Sequence, residues 1–324
     1  MSFLAGLRER AARTNARIGF PEATEARTAA AMRRLAEEGA VRPVVVESVA
    51  NLDRGLQESG IEVLDPYAPG RRGEVADLLP EIGSGGPVDT LRFAVAQMHR
   101  GRLDGVVAGA RSATADVLRA GLSIVGTAEG IRTVSSSFYM VPAGGTPDDV
   151  LTFTDAAVVP SPTPEQLAEI AQAACRARRL IVGDEPRVAF LSYSTLGSAD
   201  GDSVRAVRNA LREFREREPD VICDGELQVD AALVPEVAGR KAPGSKLAGR
   251  ANVLVFPNLD AGNIGYKLVQ RLAGSHALGP VLQGLAGPLN DLSRGASTED
   301  IVHMAYITAL MVEAPRRQQR ESPE

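Results

Sequence analysis

The sequence predicts an α/β protein of two domains, built on mostly parallel sheets with helices on both faces. Short β-branched runs alternate along the chain with longer helical patterns, as βαβ units require. Several runs, "VLVF" among them, are apolar without polar interleaving, the pattern of a strand covered on both sides. The 324 residues also exceed what one hydrophobic core usually organises.

Candidate strands run in order over 17–20 ("RIGF"), 43–47, 61–65, 103–109, 133–141, 150–155, 187–194, 221–227 and 252–257. Helical spacing fills most of the gaps, at 23–38, 88–100, 114–122, 164–179, 203–217, 262–273 and 298–313. Their starts carry capping chemistry. Thr163 can cap with Pro164 at the first helical position, where a missing N–H costs nothing. Asp202 or Ser203 can cap the next helix. Ser297 with Asp300 three residues on has the form of a capping box, in which each side chain takes an orphan N–H. The Gly- and Pro-rich "PAGGTPDDV" at 142–150 is expected to cross between domains, and "EIGSGGPVD" at 81–89 to be a surface loop. The polar tail "APRRQQRESPE" is expected to fray.

Composition narrows the function. A net charge of −5 and a pI near 5.5 argue against a nucleic-acid or anionic-membrane binder, while local arginine clusters can still hold small anions. No apolar run approaches the roughly 20 residues of a membrane span. The opening "MSFLAGLRERAARTNARIGF" is charged too early for a signal peptide. Cys175 and Cys223 lack CxxC spacing, so a disulfide framework is not expected and a cytoplasmic location is. His99, His276 and His303 lack metal-ligand spacing. No GxGxxG follows a strand and no Walker A run is present, which disfavours a nucleotide-dependent dehydrogenase.

Four stretches can carry chemistry. In "NDLSRGASTEDI", Ser293, Arg294 and Asp300 lie close together. An arginine in a Gly-containing loop can grip phosphate oxygens through its fork of donors. The adjoining helix start favours an anion or a developing thiolate. Asp300 also has a complete explanation as a cap, so capping and catalysis both stand. In "FPNLDAGNIGYKLVQRL" a strand-to-helix turn offers unpaired amides. Lys267 and Arg271 share a helix face there, either a solvated basic stripe or an anion contact. In "ATADVLRAG" Arg119 follows a strand and small residues that let a ligand approach closely; it can equally pair with Asp116 at i,i+3. Arg27, in "FPEATEAR", stands near the start of the first long helix.

Together these stretches resemble the phosphate acetyltransferase (phosphotransacetylase) family, with its phosphate butyryltransferase relatives. The most specific run extends from "DGELQVDAALVPEVAGRKAPGSKLAGRANVLVFPNLDAGNIGYKLVQRL" to "NDLSRGASTEDIV"; "ATADVLRAGLSIVGT", "TVSSSFYM", "LSYSTLGSA" and the opening "IGFPEATEAR" agree in the same order. The resemblance implies reversible transfer of an acetyl group between acetyl phosphate and coenzyme A, giving acetyl-CoA and phosphate. A butyryl or other short-chain transferase and a non-catalytic acyl-CoA-binding homologue remain as alternatives. It also implies an isocitrate-dehydrogenase-like architecture with the active site in the interdomain cleft, and a homodimer. The first domain would be discontinuous, 1–143 plus 293–324, with 144–292 as the second. CoA enters as a substrate; no permanently bound cofactor and no metal are implied.

Residue by residue, Asp300 matches the base that takes the CoA thiol proton, and Ser293 the serine that orients the thiol or stabilises the transition state. Arg294 and Arg119 match arginines on the phosphate side. Arg271 and Arg27 match arginines implicated in substrate or CoA binding, and Asn263 and Lys267 lie in the matching "AGNIGYK" run. The chain departs from the family at Leu196, where a basic residue is common, at Ser112, where a histidine is replaced with Arg111 beside it, and at Ala296. The segment before residue 90 is shortened, leaving Arg92 as the nearby candidate for a remaining substrate arginine.

The implied base faces an obstacle. A thiol near pKa ~8.5 and an aspartate near ~3.9 differ by about 4–5 units, roughly 6 kcal/mol for full proton transfer. A helix start lowers the aspartate further. Arginine charge must therefore lower the thiol, desolvation must raise the aspartate, or transfer must be concerted with attack.

Overall fold

The computed structural model describes residues 1–312 and has a strand at every run expected from the sequence. The expected fraying of the C-terminal tail lies outside the described residues. The chain opens with α1 (Phe3–Ala12), β1 (Arg17–Phe20), α2 (Ala26–Glu38), β2 (Arg42–Val45), α3 (Arg54–Gln57), β3 (Glu62–Val63), α4 (Pro80–Gly83), α5 (Thr90–His99), β4 (Gly105–Ala108) and α6 (Thr114–Ala120). It continues through β5 (Ser135–Val141), β6 (Leu151–Thr154), α7 (Pro164–Ile181), β7 (Arg187–Leu191), α8 (Asp202–Arg217), β8 (Ile222–Leu227), α9 (Val229–Leu233), α10 (Pro235–Lys241), β9 (Val253–Val255), α11 (Leu259–Leu272) and β10 (His276–Gln283). Finally come β11 (Leu289–Asp291) and α12 (Thr298–Leu310). Strands β10 and β11 have no counterpart in the sequence reading, because β10 contains the turn-like pair Gly279–Pro280 and β11 is only 3 residues long.

The chain divides into Leu4–Ala128 with the segment from Leu285 onward, and Met1–Phe3 with Glu129–Gly284. The crossings thus fall near 128 and 284, not at 143 and 292. Hydrogen bonding explains the shift. Strand β5 pairs antiparallel with both β6 and β10, so 142–150 joins two neighbouring strands of one sheet instead of crossing between domains. Strand β11 pairs with β4 and so carries 289–291 into the other unit.

The unit built from the chain's two ends holds a five-stranded sheet in the order β11-β4-β1-β2-β3. Every pairing in it is parallel. The chain builds outward from β1 through β2 to β3, then returns to the other side for β4 and β11. The β1/β4 boundary is therefore a topological switch point, and loops at the carboxyl ends of these strands diverge there.

Residues 129–284 hold a six-stranded sheet in the order β10-β5-β6-β9-β7-β8. Side-chain alternation explains its layers. Val188, Phe190, Val253 and Val255 join one core with Leu167, Leu211 and Phe214 from α7 and α8. Ala189, Leu191, Leu254 and Phe256 join a second core with Ala231, Ala232 and Leu247. Both faces are covered, which is why "VLVF" needs no polar partner. Helix α7 begins as expected: Thr163 accepts from the Gln166 amide, with Pro164 next. Helix α8 does not. Its N-cap is Gly201, without a side-chain cap bond, and Asp202 pairs instead with Arg205 at 2.6 Å. Among the described residues no helix is long and apolar enough to cross a membrane.

Candidate active site

Three carboxyl-end turns of the parallel sheet carry the candidate residues of the first unit. Ser293 and Arg294 follow β11 and are exposed. The Ser293 carbonyl accepts from the Ala296 amide at 2.8 Å, and its Oγ accepts from Gly295 at 3.3 Å, closing a tight turn. Arg27, at the start of α2, shapes that turn. Its Nη1 donates to the Arg294 carbonyl at 2.9 Å and the Ala296 carbonyl at 2.7 Å, and its Nε to Glu25 at 2.8 Å. These donors face protein atoms, so Arg27 braces the Ser293–Arg294 loop.

Asp300 forms the capping box that the sequence predicts. Its Oδ2 accepts from the Ser297 amide and hydroxyl, both at 2.8 Å, while Ser297 Oγ accepts from the Asp300 amide at 3.2 Å. Both carboxylate bonds use Oδ2. Asp300 is an exposed residue, and its Oδ1 takes no part in the box. A cap and an available oxygen therefore coexist in one side chain.

Arg119 pairs with Asp116 at 2.6 Å on α6, with its side chain 71% exposed. Such a surface pair contributes about 0–1 kcal/mol, so an anionic ligand can displace the aspartate at small cost. Arg111 donates to Thr24 Oγ1 at 3.1 Å, and Arg92 pairs with Glu81.

The other unit holds Asn263, Lys267 and Arg271 at successive i,i+4 positions of α11. Asn258 caps this helix by accepting from the Ala261 amide at 3.0 Å. Its first turn lies hard against the loop after β6: a Cβ on Gly262 would fall 2.2 Å from the Asp155 carbonyl, and Asn263 Nδ2 donates to the Ala156 carbonyl at 3.0 Å. Asn263 thus anchors the helix. Lys267 and Arg271 are exposed, with Lys267 Nζ 5.8 Å from the Tyr266 ring centre. Leu196 is exposed at φ 44, on a turn whose Gly197 amide donates to buried Glu226 at 2.9 Å. Arg208 and the Ser194 hydroxyl also bond Glu226, holding its carboxyl down at about 2 despite burial.

Two buried acids of the first unit were not singled out by sequence. Glu22, just past β1, accepts from three successive amides after β4: Ala110 at 2.6 Å, Arg111 at 3.1 Å and Ser112 at 2.6 Å. Asp291 ends β11, is 1% exposed and accepts from Thr114 Oγ1 at 2.6 Å. Burial pushes its carboxyl up to about 6, and the Glu22 charge adds to that. The available sequence signal was an acid placed directly at the end of an apolar strand, in "GFPE" and "LND".

The family model described as "Phosphate acetyl/butaryl transferase" matches residues 2–309. A curated phosphate acetyltransferase from Treponema pallidum is 43% identical, covering 95% of this chain and 98% of the relative. One from Thermoanaerobacterium thermosaccharolyticum is also 43% identical, covering 97% of this chain and 100% of the relative. The solved structure of a phosphotransacetylase from Streptococcus pyogenes matches with a TM-score of 0.85 and 38% identity, over 96% of this chain and 98% of that one.

Proposed function

The chain belongs to the phosphate acetyl/butaryl transferase family, and from that premise we propose that it transfers an acetyl group between acetyl phosphate and coenzyme A, giving acetyl-CoA and phosphate. One observation carries the assignment of the base: Asp300 keeps Oδ1 outside its own cap, on the same short segment as Ser293 and Arg294. In this reading Oδ1 takes the proton of the CoA thiol, which Ser293 orients. The thiolate sulfur attacks the carbonyl carbon of acetyl phosphate. The bond from that carbon to the phosphate oxygen then breaks, and phosphate leaves against the guanidinium groups of Arg294 and Arg119. Arg271 and Lys267, one turn apart on α11, are assigned to anionic groups of CoA, and Arg27 acts through the loop it braces.

Direct transfer also fits the chain's own thiols. Cys175 and Cys223 are buried, and burial pushes both thiols up, away from the reactive thiolate. CoA is a substrate here, not a resident cofactor, and the compartment is the cytoplasm. The test is thioester formation by purified protein with CoA and acetyl, propionyl or butyryl phosphate. The highest kcat/KM is expected with acetyl phosphate. A preference for butyryl phosphate would move the assignment to the longer acyl chain, and no turnover with any of the three would remove the enzyme assignment.

We infer a homodimer from α11 as well. Ile264, Leu268 and Leu272 recur at i,i+4 and are 58%, 52% and 83% exposed, an apolar stripe beside the cationic one. A row of large apolar side chains on one helix face is covered at lower free energy than left in water. A second copy of the chain is the occupant that the family reading favours. The double substitution Leu268→Glu, Leu272→Glu is expected to convert a dimer to a monomer by light scattering. A wild type that is monomeric, or a double variant that stays dimeric, would reject this surface.

A further inference from the structure

The turn after β4 is held from two sides by acids that the reaction above does not use. Glu22 occupies its three amides, as described. Asp291 holds it from the other strand. Its Cα is in register with Ala108, the last residue of β4, so the two strands end together. Gly109 comes next at φ +103, and a Cβ there would fall 2.2 Å from Asp291 Oδ1 and 2.6 Å from the Leu292 amide nitrogen. The turn thus lies directly on the peptide that leads to Ser293, and only glycine permits the approach. Asp291 Oδ2 then reaches Thr114 at the opening of α6, the helix that bears Arg119.

We propose that Asp291 is a positioning residue for the transfer reaction: its buried carboxyl clamps the turn that opens the Arg119 helix onto the strand end that delivers Ser293 and Arg294. The inference rests on the acyl-transfer reading for its kinetic consequence, though not for the clamp itself. Asp291 Oδ1 is buried and has no hydrogen-bond partner among the described residues. The charged group acting on it is Glu22, of the same sign. Burial raises the carboxyl most, the Thr114 hydroxyl and the Leu292 amide oppose it, and the net direction is upward. Its folded-state pKa is raised, so the stability it contributes is present at low pH and is lost as pH rises through about 6.

The test compares wild type with Asp291→Asn, Asp291→Ala and Thr114→Val. Asparagine keeps an acceptor for Thr114 and cannot ionise. The wild-type melting temperature should fall relative to that of Asp291→Asn as pH rises through about 6, and a constant difference would overturn the raised carboxyl. Asp291→Ala and Thr114→Val should lower kcat/KM for acetyl phosphate by about tenfold or more, since small displacements of binding groups are costly to rate. Asp291→Asn should recover most of that loss. Folded Asp291→Ala and Thr114→Val proteins with wild-type kinetics would overturn the proposal. Should Asp291→Ala fail to fold, Thr114→Val decides. If wild type itself does not turn over, the acyl-transfer reading fails and amide exchange judges the clamp. Faster exchange over 109–114 and 292–296 in Thr114→Val supports it, and unchanged exchange overturns it.

Discussion

Replacing Asp300 by asparagine is expected to lower kcat by about 10²–10⁴-fold while the protein stays folded, the range associated with losing a general base. The capping geometry makes the substitution informative. Asparagine offers one carbonyl oxygen that can accept the two bonds from Ser297 now made to Oδ2. What disappears is the negative charge and the basic oxygen outside the box. The lost charge at the first helical turn costs about 0.3–1 kcal/mol. Ser297→Ala makes the opposite change. It removes the hydroxyl that accepts the Asp300 amide but keeps the carboxylate. It should cost about 1 kcal/mol of stability and leave most of kcat. If instead both variants lost activity only in proportion to stability, Asp300 would be a cap and nothing more.

The capping box was legible in the sequence because both partners lie three residues apart and their chemistry is local. The parallel-strand runs were legible for a similar reason: "VLVF" alternates between two cores, and neither face tolerates a polar residue. The failures are tertiary. Arg27 is an unremarkable helix-start arginine until it meets the carbonyl of Ala296, 269 residues away. Asp291 meets Thr114 across 177 residues, and its own strand, β11, is recognisable only through its pairing with β4. The domain crossing was misplaced on the same principle. Gly and Pro at 142–150 mark a turn, and only the pairing of β5 with β6 decides that the turn stays inside one sheet. Arg119 illustrates the remaining case: its pair with Asp116 was foreseeable, and a local pair at the surface leaves its part in a reaction to be decided by ligand binding.

Replacing Arg178 by methionine is expected to destabilise the 129–284 unit by about 3–5 kcal/mol, the cost of breaking a buried ion pair from one side. Arg178 is fully buried on α7. Its Nε and Nη2 each meet Asp184 at 2.8 Å. Its Nη1 donates to the Val150 carbonyl at 2.9 Å and to Thr152 Oγ1 and the Asn252 carbonyl, both at 3.0 Å. One guanidinium thus ties α7 to β6 and to the residue preceding β9. Methionine fills much of the same volume, so the loss would come mainly from the hydrogen bonds it cannot make, even though Asp184 Oδ2 keeps Asn252 Nδ2 at 3.1 Å and the Asn252 carbonyl keeps the Thr152 amide at 2.9 Å. Lysine should recover only part of it, because a single ammonium cannot serve Asp184 through two parallel bonds and the carbonyls as well. Asp184 is 27% exposed, so water can solvate it. Asp184→Asn should cost at least as much as Arg178→Met, since it leaves a fully buried guanidinium without its counter-charge and without such access. Urea unfolding of the full chain measures all three variants. A loss below about 1 kcal/mol for Arg178→Met would mean that the site repacks around an apolar side chain, the outcome seen when buried charges are replaced with little net cost. The expected order, Met worse than Lys and Asp184→Asn no milder than Met, separates a site limited by charge and donors from one limited by volume.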